Sequence, residues 1–160
     1  MNITAVPLKF PADANVIAGQ AHFIKTAEDL AEIVVTTVPG ARFGLAFCEA
    51  SGPCLIRTEG NDEALIAAAV ANAQAVGAGH TFFLLLVGAY PINVLMAIKA
   101  CPEVAQVFCA TANPVQILVV QNDQGRGVVG VIDGSGPQGV EDADARAARR
   151  EFLRRIGYKR

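Results

Sequence analysis

From Thr81 to Tyr90 the chain runs ten residues, Thr-Phe-Phe-Leu-Leu-Leu-Val-Gly-Ala-Tyr, without a charge. A membrane-spanning helix needs about twenty apolar residues, so this stretch is too short to cross a bilayer. Gly77-Ala78-Gly79-His80 precedes it and Pro91 follows it. A short apolar run between turn residues is the pattern of a strand buried in a sheet. Phe43 to Cys48 has the same character. A chain with two such strands must build layers to cover them.

The punctuation by Gly and Pro supplies those layers. Ile3 to Phe10 alternates and reads as an edge strand, and Val16 to Phe23 as a second strand. Thr26 opens a helix in which Leu30, Ile33, Val34 and Val38 recur at helical spacing, and Pro39-Gly40 ends it. Thr26 and Asp29 have the spacing of a variant capping box. Cys54 to Thr58 returns as a strand after the turn Ser51-Gly52-Pro53. Asn61 or Asp62 caps a helix to about Val76, apolar nearly all round and so expected to be buried on more than one side. Pro91 suits the first turn of a helix that Pro102 stops. Val104 to Thr111, Val115 to Asn122 and Val128 to Ile132 are strands, and a last helix runs from about Asp142 to Ile156, with Gly157 as its stop. The expected fold is α/β, of mixed α+β type: a mostly mixed β-sheet with about four helices packed against it, in a single domain over residues 1–160.

Composition limits what such a domain does. A domain of 160 residues buries roughly 70% of its unfolded surface, so it needs no metal or disulfide to hold a core. Hydrophobic residues make up 52% and charged residues only 18%, against about 25% charged in an ordinary soluble domain. That surplus calls for burial between subunits, hence a homo-oligomer. The net charge of −2 offers nothing to a nucleic-acid backbone. Neither a membrane nor a nucleic acid is an expected partner, and the segment Met1 to Phe10 lacks the basic start and apolar core of a signal peptide. Cys48, Cys54, Cys101 and Cys109 show no CxxC spacing; they read as small buried hydrophobes in a reducing cytoplasm. The basic residues between Arg146 and Arg160 read as a solvated helix face paired with Glu141, Asp142, Asp144 and Glu151.

Chemistry is expected where polar residues interrupt apolar strands beside glycines. His22 ends a strand just before a helix N-terminus at Thr26, whose free amides and partial positive charge suit a phosphate, and Lys25 adds a full charge. A neutral imidazole is a competent nucleophile, though a histidine capping a strand end is as common. His80 stands behind a glycine pair at the mouth of the apolar strand, where glycines let a ligand approach closely or simply stop a helix. Glu49 ends a buried strand and can orient an imidazole or act as a base, or be a solvated turn carboxylate. Thr111 and Asn113 carry groups that can read a purine edge or a ribose, in what is also an ordinary Asn-Pro turn. Arg126 between Gly125 and Gly127 can clamp phosphate or sit in a hairpin turn. Gly125-Arg126-Gly127-Val128-Val129-Gly130 fits GxGxxG but precedes a strand, so the dinucleotide reading fails on context, and no P-loop motif exists.

Together these segments resemble the adenosine-specific kinase family. The resemblance rests on NVIAGQAHFIKTAEDL from Asn15, VPGARFGLAFCEASG from Val38, EGNDEALIAAAVANA from Glu59 and GAGHTFFLLL from Gly77. It continues through YPINVLMAIKACPEVAQVFCATANPVQILV from Tyr90, QGRGVVGVIDG from Gln124 and REFLRRIGYK from Arg150. It implies binding of adenosine or an adenine nucleotide, kinase activity towards adenosine, a histidine able to carry phosphate, and a homo-oligomer, specifically a trimer. The expectation is therefore a phosphotransferase that moves phosphate from ATP, with Mg²⁺, to adenosine through a phosphohistidine. His22 is the first choice of nucleophile and His80 the second. Lys25, Thr26, Gly125, Arg126 and Gly127 serve the phosphates, Thr111 and Asn113 the nucleoside, and Glu49 assists catalysis. A non-catalytic adenine-nucleotide sensor is the alternative, favoured by the missing P-loop.

Overall fold

The structure is a computed structural model and describes residues 2–160; Met1, where the expected domain begins, lies outside them. In chain order the elements are β1 (Ile3–Pro7), β2 (Asn15–Ala21), α1 (Thr26–Thr37), β3 (Arg42–Cys48), β4 (Ile56–Gly60), α2 (Glu63–Val76), β5 (Thr81–Val87), α3 (Pro91–Ala100), β6 (Val104–Thr111), β7 (Val115–Gln121), β8 (Arg126–Asp133) and α4 (Ala143–Arg155). The fold is mixed α/β, with four helices and two sheets.

The single mixed sheet expected from the sequence is instead two sheets, each antiparallel throughout. A five-stranded sheet has the order β4-β3-β5-β2-β6, and a three-stranded sheet the order β1-β7-β8. The reason lies in the crossovers. A strand-helix-strand unit joins parallel strands, and β2 and β3, joined by α1, do run the same way. They are not neighbours, however: β5 lies between them and pairs antiparallel with both. Likewise β3 separates β4 from β5, and β2 separates β5 from β6.

β5 is the central strand, and its side chains alternate between two cores. Phe82, Leu84 and Leu86 face α1 and α3, with Leu30, Val34, Val94 and Ile98. Phe83 and Leu85 face α2 and the three-stranded sheet, with Leu65, Ala69, Ala73 and Ile117. Coverage on both faces is why the run is apolar at every position, although such runs are usual in parallel sheets.

Helix starts are only partly as expected. Asp62 caps α2, its carboxylate accepting from the Leu65 amide at 3.0 Å. The Thr26–Asp29 capping box does not form. Lys25 holds the cap position in helical geometry, so the Thr26 hydroxyl turns back and donates to the carbonyls of Phe23 at 2.7 Å and His22 at 3.2 Å. Nor is α2 buried all round. Leu65, Ala69, Asn72, Ala73 and Val76 face inward, while Ala64, Ala67, Ala71 and Ala75 are exposed on this chain. Alanine is apolar but small, and its recurrence reflects helix propensity as much as burial. Cys48, Cys101 and Cys109 are buried as expected; Cys54 is exposed, in the turn before β4 with φ 52°. No helix among the described residues is long and apolar enough to cross a membrane.

Candidate active site

One end of the five-stranded sheet opens into a cleft of about 780 Å³. Its walls are the end of β3 (Cys48, Glu49, Ala50), the end of α2 (Ala73, Gln74, Gly77), the approach to β5 (Ala78, Gly79, His80) and the β7–β8 hairpin on either side of its tip (Val120 to Asn122 and Gln124 to Gly127). Four segments far apart in sequence meet here because β2, β3, β5 and the hairpin all turn at this end.

His80 stands in the cleft under backbone constraint. Its backbone has φ 61°, a left-handed conformation uncommon for a residue with a side chain. Two hydrogen bonds impose it. The His80 amide donates to the Cys48 carbonyl at 2.7 Å, and the His80 carbonyl accepts from the Ala21 amide at 2.9 Å. The imidazole stacks on Phe47, with ring centroids 5.9 Å apart and planes 16° apart. The glycines before it are needed for shape: Gly77 ends α2 at φ 62°, and a Cβ on Gly79 would lie 2.9 Å from that of Ala50. A strained residue pinned on both sides at the mouth of a cleft is a common arrangement at functional sites.

Glu49 faces the same cleft and is held ionised. The Leu55 amide donates to it at 2.9 Å, and Arg57 reaches both carboxylate oxygens at 3.2 Å. These hold its pKa below the usual carboxylate range, the Leu55 amide most. Arg57 approaches across the β3–β4 hairpin. Arg126 lines the opposite wall. Its guanidinium donates to the Ala75 and Val76 carbonyls at 3.1 and 3.3 Å and to the Gln121 side chain at 3.0 Å. It thus caps the negative end of α2 and presents a fixed positive charge to the cleft. Gly125 and Gly127 flank it at the hairpin, and the Asn122 side chain ties that turn by accepting from the amides of Gln124 and Gly125.

The other expected site residues lie elsewhere. His22 follows Ala21, the last residue of β2 and the one that donates to the His80 carbonyl, but its side chain is exposed and does not line the cleft. It adjoins a separate cluster in which Lys25 pairs with Asp29 and, at 3.1 Å, with Glu103, while the Cys101 thiol donates to Glu103 at 2.9 Å. Thr26 is buried below it. Asp29, Cys101 and Glu103 lie close enough to hold a metal ion. The Lys25 ammonium already pairs with both carboxylates, and burial pushes the thiol up to about 11, so the set is a poor fit for a cation. Thr111 and Asn113 are at the far end of the sheet, where the Thr111 hydroxyl accepts from the Asn113 amide and the Asn113 side chain donates to Asp133. A shallower groove of about 340 Å³ at that end is lined by Ala112 and Pro114, not by either of them.

The cleft also holds residues the sequence did not single out: Gln20, Gln74, Gln121 and Asn122. Gln20 alone left a signal, as the polar interruption in the apolar run Val16 to Ala21.

The ion pairs around the buried Glu103 make acid sensitivity predictable. Glu103 is held well below the usual carboxylate range by the hydrogen bond it shares with Asp29, the thiol of Cys101 and Lys25. A carboxylate whose folded pKa is depressed adds stability that is complete above its unfolded value, about 4.3, and is lost as pH falls through the folded value. The urea midpoint of the wild-type protein should therefore fall as pH drops below about 4. In Glu103→Gln the midpoint should be lower at pH 7 and change less over the same acid range.

A family model described as adenosine specific kinase matches residues 6–159. The crystal structure of the PH1918 protein from Pyrococcus horikoshii OT3 is similar over the whole fold, with a TM-score of 0.95 and 44% identity, covering 99% of this chain and 98% of that one. Nothing among curated proteins matches the sequence. With nearly its full length matched by the family model, this chain belongs to the adenosine specific kinase family.

Proposed function

We propose that the protein transfers a phosphoryl group from ATP to adenosine, giving ADP and AMP, and that His80 carries the phosphate between them. The family supports an adenosine-kinase-like function. The observation that carries the assignment of the histidine is the pinned, strained His80 at the mouth of the cleft, opposite Arg126.

In the first step an imidazole nitrogen of His80 attacks the γ-phosphorus of ATP. The N–P bond forms as the bond to the β-bridging oxygen breaks, and ADP leaves with that electron pair. In the second step the 5′-hydroxyl oxygen of adenosine attacks the same phosphorus. The N–P bond breaks, its electrons return to the imidazole, and Glu49 takes the hydroxyl proton. Covalent catalysis of this kind divides one transfer into two. Its main demands are position and charge neutralisation. Stacking on Phe47 and the two backbone hydrogen bonds supply position; Arg126 supplies charge. Mg²⁺ is usually held by one or two carboxylates and the substrate's phosphates. Both Glu49 oxygens already accept from Arg57, so the ion would be held by the substrate's phosphates, whose charge it would neutralise. The protein acts as a homo-oligomer, a trimer, in the cytoplasm.

Incubating the pure protein with ATP, Mg²⁺ and adenosine should produce AMP, quantified by chromatography, in proportion to enzyme. Absence of AMP, with adenine nucleotide still bound, would overturn the kinase reading in favour of a nucleotide sensor.

A further inference from the structure

The last helix has a complete set of helix signals and almost nothing to pack on. Asp142 caps α4 by accepting from the Ala145 amide at 2.8 Å, and Gly157 ends it at φ 84°. Arg149 forms a forked pair with Glu141, at 2.7 and 3.0 Å. Yet none of its 13 residues is buried, and among the described residues α4 makes no substantial packing with any other element. Only Tyr158, just beyond it, meets a ring of the body, edge-on to Tyr90 with centroids 6.3 Å apart. Isolated helices shorter than about 12–15 residues are marginal in water, so a helix of this length needs a surface to lie on.

Its own chemistry indicates which surface. Ala145, Ala148, Phe152 and Ile156 fall on one stripe at helical spacing, and Phe152 and Ile156 are 47% and 43% exposed. Arginines flank the stripe. Residues 141–160 carry seven basic and four acidic side chains, whereas residues 1–140 carry six basic and eleven acidic ones. The acidic excess is partly displayed on α1, where Glu28, Glu32 and Val35 form an exposed stripe and neither glutamate is ion-paired among the described residues. The body of this chain is thus complementary in charge to its own arm, and α4 does not lie on it within the chain.

We propose that α4 is an intersubunit arm, whose Phe152–Ile156 stripe and flanking arginines dock on the acidic body of a second copy of this chain. The inference rests on the homo-oligomer proposed above and names the element that makes it. Every copy carries both arm and acceptor, so each can give an arm to one neighbour and receive one from another.

Light scattering behind size exclusion tests it, on the full-length wild type, Phe152→Glu/Ile156→Glu and Arg150→Glu/Arg155→Glu. The wild type should elute as an oligomer. Either double variant should raise the dissociation constant on the order of 100-fold, as losing an interface anchor does, and keep a folded far-ultraviolet spectrum, since no altered side chain is buried in its own chain. The arginine variant decides the matter should the apolar one aggregate. A wild-type oligomer left unchanged by the variants overturns the arm and leaves the oligomer intact. A monomeric wild type overturns both.

Discussion

Replacing His80 by alanine should lower the rate of AMP formation by about 10³-fold or more, the scale seen when a covalent nucleophile is removed. His22→Ala should stay within a few-fold of wild type. Both histidines sit at the same end of the sheet, His22 just after β2 and His80 just before β5, so the pair is a controlled comparison. Only His80 lines the cleft, opposite Arg126 and alongside Glu49. The His22 side chain is exposed, next to a lysine already committed to Asp29 and Glu103. His80→Asn is a useful third variant: asparagine tolerates a positive φ, so the backbone strain is kept while the nucleophile is lost. It should be as inactive as the alanine variant and close to wild type in stability. If His80→Asn retains activity, the ring serves only to shape the turn.

The largest effect on stability is expected at Gly44. It lies in β3 directly beneath α2, and a Cβ there would stand 2.2 Å from the Leu65 carbonyl carbon and the Ile66 amide nitrogen. These are backbone atoms in the first turn of a capped helix, so no side chain can rotate away. Overpacking of a core costs typically 1–3 kcal/mol, and a clash with a helix backbone belongs at the upper end. Gly44→Ala should destabilise the fold by about 3 kcal/mol and lower the melting temperature by roughly 6–12 °C for a domain of this size. Gly40 is the control, with no atom within 4 Å of an added Cβ; Gly40→Ala should stay within about 0.5 kcal/mol. Equal melting temperatures for the two variants would mean that α2 does not press on β3 as described.

How much of this was legible in the sequence depends on the range of the interactions involved. The run Thr81–Val87, the cap at Asp62, the stops at Gly77 and Gly157 and the helix start at Pro91 are local, and each appears where the residues indicate. Strand order was hidden. The crossovers give parallel directions correctly, but the insertion of β5 between β2 and β3 is set by pairing across more than thirty residues, and no residue pattern encodes a neighbour. The site suffered the same way. Lys25 beside His22 looked like a phosphate ligand because Glu103, its partner 78 residues on, could not be seen from Lys25. Arg126 was legible as a positive charge between glycines, while its attachment to the end of α2, some fifty residues earlier, was not. Thr111 and Asn113 were chosen for their side-chain groups, but the Thr111 hydroxyl accepts from the Asn113 backbone amide and the Asn113 side chain donates to Asp133.

The central claim, that the phosphoryl group passes through His80 in this cleft, is tested most directly by locating the phosphate on the protein. The full-length enzyme is incubated with ATP and Mg²⁺ without adenosine, then its intact mass is taken before and after acid treatment and the modified peptide sequenced at neutral pH. The account predicts a gain of one phosphate that acid removes, carried by the peptide containing His80, and discharged as AMP when adenosine is added. Phosphate on His22 instead, or AMP formation with no phosphate on either histidine, would contradict it.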